Sequence, residues 1–463
     1  MTALELARLQ FGITTLFHFI FVPLSIGSAF FVAVFQTAHH RTGKDVYGRM
    51  TRFWAKLMLI SFAVGVVTGI VQEFQFGMNW SDYSRYVGDV FGAPLAMEGL
   101  AAFFLESTFI GLWIFGRGRL SPRVHLATIW LTAIGSAMSA YFILAANSWM
   151  QHPVGYTIAE SGRAEMTSIW AVLTNSTALY AFGHTITAAL ATAGMVILGV
   201  SAYHLLRGND VDAHRRTATL AIAVVFVGAL STATIGHFQA QLMTTQQPMK
   251  MAAAEALYDS QSGAPFSLFA VAPFEATPDR LTFNIEIPKG LSMLATNTPN
   301  GRVEGINDLQ ADYVAKYGPG DYRPVIGVTY WSFRLMVGMG TFMVLFGALG
   351  LLLVRRGTLT RSPRYLTVAL WAIPVPFIGN AMGWIFTEMG RQPWAVQGLL
   401  RTNDASSPTV SAAYVATSLI GFTLLYTALA VLAGWLAVRE MRAGTEPERS
   451  DGPVPPSEPT FAY

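Results

Sequence analysis

Cysteine is absent from this chain of 463 residues, and charge is scarce: 12% of the residues are Asp, Glu, Lys or Arg, against 52% hydrophobic ones. Without thiols there is no disulfide, no thiolate metal site, no iron–sulfur cluster and no CxxCH haem attachment, so any metal must be held by His, Met or carboxylate. So little charge, with a mean hydropathy of +0.42, excludes an ordinary soluble globular protein. The composition is that of an all-α, polytopic integral membrane protein. The net charge of +3 and pI near 9.0 come mainly from Lys and Arg in short loops. No basic run with interleaved aromatics is present, which argues against a nucleic-acid partner.

The first apolar segment, Leu9 to Ala38, is too long for a signal-peptide core, and no Ala-x-Ala cleavage site follows it. It is expected to remain as a membrane helix. Nine segments have the length of about 20 apolar residues that a span requires: residues 10–38, 53–79, 94–116, 124–150, 178–206, 217–242, 328–354, 365–389 and 413–438. An odd count puts the termini on opposite sides. Basic residues collect in alternate loops: Arg41, Lys44, Arg49 and Arg52 after span one, Arg117, Arg119 and Arg123 after span three, Arg207, Arg215 and Arg216 after span five, and Arg355, Arg356, Arg361 and Arg364 after span seven. The positive-inside rule then predicts an outer N-terminus and a cytoplasmic C-terminus. The chain divides into spans one to six (1–243), an extracytoplasmic loop (244–325), spans seven to nine (326–443) and a Pro-rich polar tail (444–463) expected to be disordered. Pro374 and Pro376 are expected to kink span eight.

Depth along the spans singles out the candidate chemistry. Of the nine histidines, His39, His40, His125, His152, His204 and His214 fall in loops or at span ends, leaving His18, His184 and His237 within apolar segments. A polar side chain in a bilayer core costs a few kcal/mol or more, so each is a functional candidate. His18 lies about eight residues, or about 12 Å, below the outer surface. His184 is similarly shallow, and His237 sits near the outer end of span six. Met336 falls near the depth of His184, which permits a shared ligand site. Among 19 methionines the ordinary reading of any one is packing, but Arg334, two residues away in the same apolar span, requires an anionic partner such as a carboxylate or a haem propionate. Glu98 and Glu106 stand eight residues, about 12 Å, apart on span three. Glu388 ends span eight and is followed by Arg391, Gln392, Pro393 and Trp394. Such carboxylates ligate a metal or pass protons, with an internally satisfied structural Glu as the plain alternative for each.

The runs GDVFGAPLAMEGLAAFFLEST (88–108), ILAANSWMQHPVG (143–155), WSFRLMVG (331–338) and GWIFTEMGRQPW (383–394) resemble subunit I of the cytochrome bd quinol oxidases. So do QFGITTLFHFIFVPLSIG (10–27) and EFQFGMNWSDYSRYVGDVFG (73–92), so the resemblance covers nearly all nine spans in order. It implies a terminal respiratory oxidase of the bacterial cytoplasmic membrane that oxidises quinol at the outer face and reduces O2 to water with protons from the cytoplasm, electrogenic without a pump. A second, similar subunit and small accessory subunits are the implied partners. Three haems are implied as cofactors: low-spin haem b on His184 and Met336, and high-spin haem b and haem d at the oxygen site. His/Met ligation raises a haem's potential, which suits an acceptor of quinol electrons. His18 matches a ligand of haem d and Glu388 one of the second haem b. Glu98 matches a carboxylate beside them that can itself be a ligand, and Trp384 an aromatic between haems. Arg334 and Arg391 accompany these groups. Glu106, Ser107 and Ser139 match a proton route inward.

The long outer loop resembles the family's quinol-binding loop in its short form, and it carries Lys250 and Glu255 in KMAAAE. A Lys can hold the quinol oxygen while a Glu accepts its proton. The plain reading of the same segment is a solvated amphipathic helix with an ordinary charge pair. Nothing in the residues encodes the chlorin of haem d, so an oxidase with only b-type haems is an alternative, and a transporter with broken helices is another of a different class. Inverted repeats would favour the transporter, and none is seen.

Overall fold

The computed structural model describes residues 1–271 and 281–445. Among these residues nine helices are long and apolar enough to cross a membrane: Ala3–Thr42, Asp45–Met78, Ser81–Phe115, Pro122–Gln151, Ser176–Arg207, Val211–Gln246, Ile326–Arg355, Pro363–Met389 and Ala412–Ala443, numbered one to nine here. All nine expected spans are present, and each is extended by polar turns that apolarity alone does not mark. A capping box between Thr2 and Glu5 starts span one, and the left-handed Gly43 ends it.

Span five is the centre of the bundle. It packs against spans one, four, six and eight, and 72% of its most apolar window is buried, against 11% for span nine at the periphery. Its central run of Ala189, Ala191, Ala193 and Gly194 explains this, because small side chains let helix backbones approach closely where no water drives association. Span eight breaks between Trp371 and Pro374, where the proline starts a new helix. The prolines expected to kink it therefore interrupt it outright. In span three the six residues Glu98–Phe103 widen into π geometry, which the sequence pattern did not announce.

The spans alternate in direction. At the arginine-rich end Arg49 bridges Asp45 at 2.9 Å and Asp210 at 3.3 Å. Asp210 also accepts from Thr445 at 2.5 Å, and His204 from span five meets the Met441 carbonyl at 2.7 Å. At the opposite end Ala7 shares a core with Trp80, Trp149, Val396 and Ala405. Most of the expected disordered tail, residues 446–463, lies outside the described residues.

The long connection between spans six and seven is folded. It contains the helix Pro248–Glu255, an antiparallel pair Phe266–Val271 with Phe283–Ile287, and the helices Gly290–Thr296 and Ile306–Tyr317. Met249, Ala252, Ala256, Ile306 and Tyr330 form a core that seats the first of these helices on the end of span seven.

Candidate functional site

The candidate side chains come from span one, from spans three to eight and from the loop helix. His18 on span one places Nδ1 2.9 Å from the Thr68 hydroxyl of span two. Thr68 already donates to the Val64 carbonyl at 2.8 Å and can also reach Gly65 at 3.0 Å, so it accepts from His18 and holds the proton on Nδ1. The lone pair of Nε2 is left free, the arrangement that orients a metal-ligating imidazole. Phe19, the next residue, packs edge-on to Trp384 with ring centroids 5.2 Å apart, bringing span one against span eight.

Glu388, at the end of span eight, accepts from Asn147 of span four at 2.9 Å and from Arg391. Arg391 is buried and also donates to the Trp394 carbonyl at 3.1 Å and to that of Ala395. A carboxylate offers about four lone pairs, so Glu388 retains acceptor capacity beyond these two bonds.

Glu98 and Glu106 both turn to span four. Ser139 donates to Glu98 at 2.6 Å, and Ser136 donates to Glu106. In an unbroken α-helix eight residues leave two side chains about 80° apart around the axis. The i→i+5 turn of the π segment takes up one extra residue and brings them within about 20°. The two serines are one turn, about 4.5 Å, apart on span four, so the carboxyls converge although their backbones stand about 12 Å apart along the helix. Ser107 spends its hydroxyl on the Phe103 carbonyl of its own helix at 2.7 Å. Ser107 and Ser139, expected beside Glu106, are thus placed differently: one on its own backbone, the other on Glu98.

His184 faces span six, where Gly236 leaves room for its ring and the Thr232 backbone carbonyl lies beside its buried imidazole. The Met336 sulfur of span seven lies against Gly383 of span eight. Arg334 finds a carboxylate: it bonds Glu255 of the loop helix at 2.5 Å, with side-chain exposures of 8% and 1%. The rings of Phe266, Tyr330 and Phe333 surround its guanidinium within 4.6 to 5.2 Å.

The loop helix is not the solvated amphipathic element of the plain reading. Met249 through Glu255 are all buried, and Lys250 and Glu255 do not pair with each other. Lys250 donates to Gln151 of span four at 3.1 Å and to Gln247 at 3.2 Å, and its ammonium sits 5.4 Å from the Phe386 ring centroid. Burial pushes Lys250 down to about 7, opposed by the charge of Glu388. Burial likewise pushes Glu255 up to about 7, opposed by the Arg334 guanidinium. A water-sized cavity lined by Lys250, Gln247, Tyr313, Tyr322, Arg391 and Trp394 adjoins the lysine.

Several participants escaped the sequence reading. Thr68, Ser136, Asn147 and Gln151 hold candidate groups, and the last three lie on one span at helical spacing with Ser139, a polar stripe that could have been noticed. Glu73, within span two, interacts electrostatically with Glu98 and carries the same intramembrane carboxylate signal as the three glutamates that were singled out. His237 bonds only Gln241, at 3.2 Å, at the loop end of span six.

Residues 6–445 match the family model of cytochrome bd terminal oxidase subunit I. This chain belongs to that family. Among curated relatives it is 48% identical to the cytochrome bd ubiquinol oxidase subunit 1 of Bacillus subtilis, over 96% of this chain and 95% of the relative. It is 36% identical to the cytochrome bd-II ubiquinol oxidase subunit 1 of Escherichia coli, over 97% and 98%. A putative cytochrome bd menaquinol oxidase subunit I of Bacillus subtilis is 30% identical over 93% and 94%. The solved bd oxidase of Geobacillus thermodenitrificans superposes with a TM-score of 0.86 at 28% identity, covering 96% of this chain and 99% of that one. The enzyme is thus a terminal quinol oxidase whose subunit I is a multi-pass membrane protein that works with a subunit II.

A bd oxidase carries haem, and the side chains here suit it. Among the described residues no three His, Asp or Glu converge as a metal cage. Oε2 of Glu98 is, among the described residues, a buried polar atom without a hydrogen-bond partner, and such atoms ordinarily have one.

Proposed function

We propose that this subunit oxidises quinol at the end of the bundle opposite its arginine-rich loops and directs protons from that arginine-rich, cytoplasmic end to an oxygen site, in the cytoplasmic membrane of a bacterium. His184 and Met336 would hold a low-spin haem b, His18 a haem d and Glu388 a second, high-spin haem b, with Glu98 beside them. These groups would supply the electron transfer and oxygen chemistry. Small accessory subunits would bind alongside subunit II.

The loop helix carries this reading. Lys250 reaches the Glu388–Arg391 cluster through the Phe386 ring and Gly390, while Glu255 is ion-paired to Arg334, two residues before Met336. One helix therefore connects the quinol loop to both ligand sets. Lys250, as ammonium, donates to a quinol oxygen. Glu255, as carboxylate, accepts the two quinol protons one after the other, releasing each on the same side, as the two electrons pass to the haem that His184 and Met336 would hold. On the inner side, Glu106 on Ser136 and Glu98 on Ser139 form two proton-holding stations one turn apart. Protons enter from one face and leave from the other, which makes turnover electrogenic without a pump. Trp384, packed on Phe19, fills the space between spans one and eight.

A visible absorption spectrum of the purified complex tests the haem assignment. A far-red band marks haem d, b-type bands alone would favour the haem-b-only oxidase, and a spectrum free of haem would overturn the reading.

A further inference from the structure

We infer that Gly69, Gly236 and Gly383 are positioning residues, each a seat against which one candidate axial ligand is held; the inference rests on the ligand assignment above. A Cβ built on Gly69 would lie 3.1 Å from Cε1 of His18. On Gly236 it would lie 3.1 Å from Cε1 and 3.3 Å from Nδ1 of His184. On Gly383 it would lie 3.1 Å from the Met336 sulfur. In each case the glycine belongs to a different span from the ligand, and the atoms met are those of the ligand side chain.

Helix approach is the usual reason for glycine in a membrane bundle, and other glycines here serve it. At Gly27, Gly228 and Gly347 the nearest atoms are backbone atoms of Ala189, Thr187 and Phe226. At the three seats the nearest atoms are instead those of the ligand side chain; Gly48 and Gly444 meet the rings of His39 and His204 in the same way at span ends, so it is the ligand assignment together with the contact that marks the seats. Carbon contacts are favourable at about 3.5–4.0 Å, so an alanine methyl must displace the ligand atom by about 0.4–0.9 Å. A functional constellation tolerates about 0.5 Å, and close-packed surroundings leave the side chain little room to retreat. His18 is further restrained by its Thr68 bond, and Thr68 immediately precedes Gly69, so one turn of span two sets both the protonated nitrogen and the ring plane.

The test uses the complete oxidase complex carrying Gly69→Ala, Gly236→Ala or Gly383→Ala, with Gly77→Ala and Gly340→Ala as controls, since among the described residues a Cβ at either control position meets no neighbouring atom within 4 Å. Haem content per haem type, spin state by electron paramagnetic resonance, and a redox titration are measured. Gly236→Ala and Gly383→Ala should disturb the low-spin haem alone, and Gly69→Ala the high-spin signals alone, each lowering retention of that haem roughly 10-fold or more. The controls should match the parent. Loss of all haems together in a seat variant would indicate a general packing role and overturn the inference. So would unchanged spectra in all three seats. Met336→Leu, run in parallel, separates the two layers: if it leaves the low-spin haem intact the ligand assignment has failed, whereas a changed Met336→Leu spectrum beside an unchanged Gly383→Ala spectrum sinks the seats only.

Discussion

At the scale of single residues, the chemistry rests on a few polar groups placed where solvent cannot satisfy them. Met336→Leu conserves apolar volume while deleting the sulfur, so the low-spin haem should become high-spin or fall in potential, and quinol oxidation should stop. An unchanged low-spin spectrum would remove Met336 from the ligand set. Glu106 makes a subtler case. Its Ser136 bond stands one turn from the Ser139 bond of Glu98, so in the proposed relay the two would be neighbouring stations although the sequence puts them about 12 Å apart. Glu106→Gln should keep full haem content and normal reduction by quinol, while slowing proton-consuming steps of oxygen reduction by roughly 100-fold or more. Transient absorption after mixing the reduced complex with oxygen checks this, and unslowed steps at full haem content would defeat the relay. His18, Glu98, Glu106, Glu388 and Arg334 were legible in the sequence because a charge or imidazole in an apolar span has few innocent explanations. Thr68 was not, and Ser136 only as a member of the polar stripe on span four. A hydroxyl in a membrane helix ordinarily bonds its own backbone, as Ser107 does, and only tertiary structure tells which ones turn to a carboxylate or an imidazole.

At the scale of elements, the nine spans followed from hydropathy, whereas the π segment and the burial of the loop helix did not. KMAAAE has the look of a solvated helix, and its burial depends on packing against the adjoining span six and against span seven and Ile306–Tyr317, both far away in sequence. That burial predicts a pH dependence. Glu255, raised to about 7, loses its ability to accept a proton as pH falls through that value. Lys250, lowered to about 7, loses its positive charge as pH rises through it. Quinol oxidation should therefore follow a bell with both limbs near neutrality, read as kcat/KM for quinol against pH, and Lys250→Met should abolish the alkaline limb along with most of the rate. A flat profile between pH 6 and 8 (roughly one unit either side of the two groups' values) would remove both from the quinol site. The Arg334–Glu255 pair makes a separate prediction about stability. Arg334→Met alone leaves a buried carboxylate unpaired and should destabilise the loop–span junction by about 3–5 kcal/mol. Arg334→Met with Glu255→Leu should recover most of that in a thermal unfolding assay, because two apolar side chains then replace the pair. Equal losses in the single and double variants would mean that the ion pair is incidental.

At the scale of the whole molecule, the residues of the two proposed ligand sets come from different helices. His184 and Met336 come from spans five and seven and rest on spans six and eight, while His18 and Glu388 come from spans one and eight and are held by spans two and four. Span eight alone belongs to both sets, with Gly383 facing Met336 and Glu388 facing Asn147, five residues apart and so about 140° apart around the helix axis. Damage to one set should therefore spare the other. His18→Ala should lose a high-spin haem while the low-spin haem is still reduced by quinol at close to the parent rate, and Glu388→Ala should do the same for the second high-spin haem. The plain alternative is a bundle in which any buried substitution loosens all sites together, as a close-packed interior can. Haem quantitation with stopped-flow reduction by quinol distinguishes the two. If His18→Ala erased the low-spin signal and kept oxygen binding, the assignment of the two sets would be reversed, and if it removed every haem, the separate mounting of the sites on this bundle would be refuted.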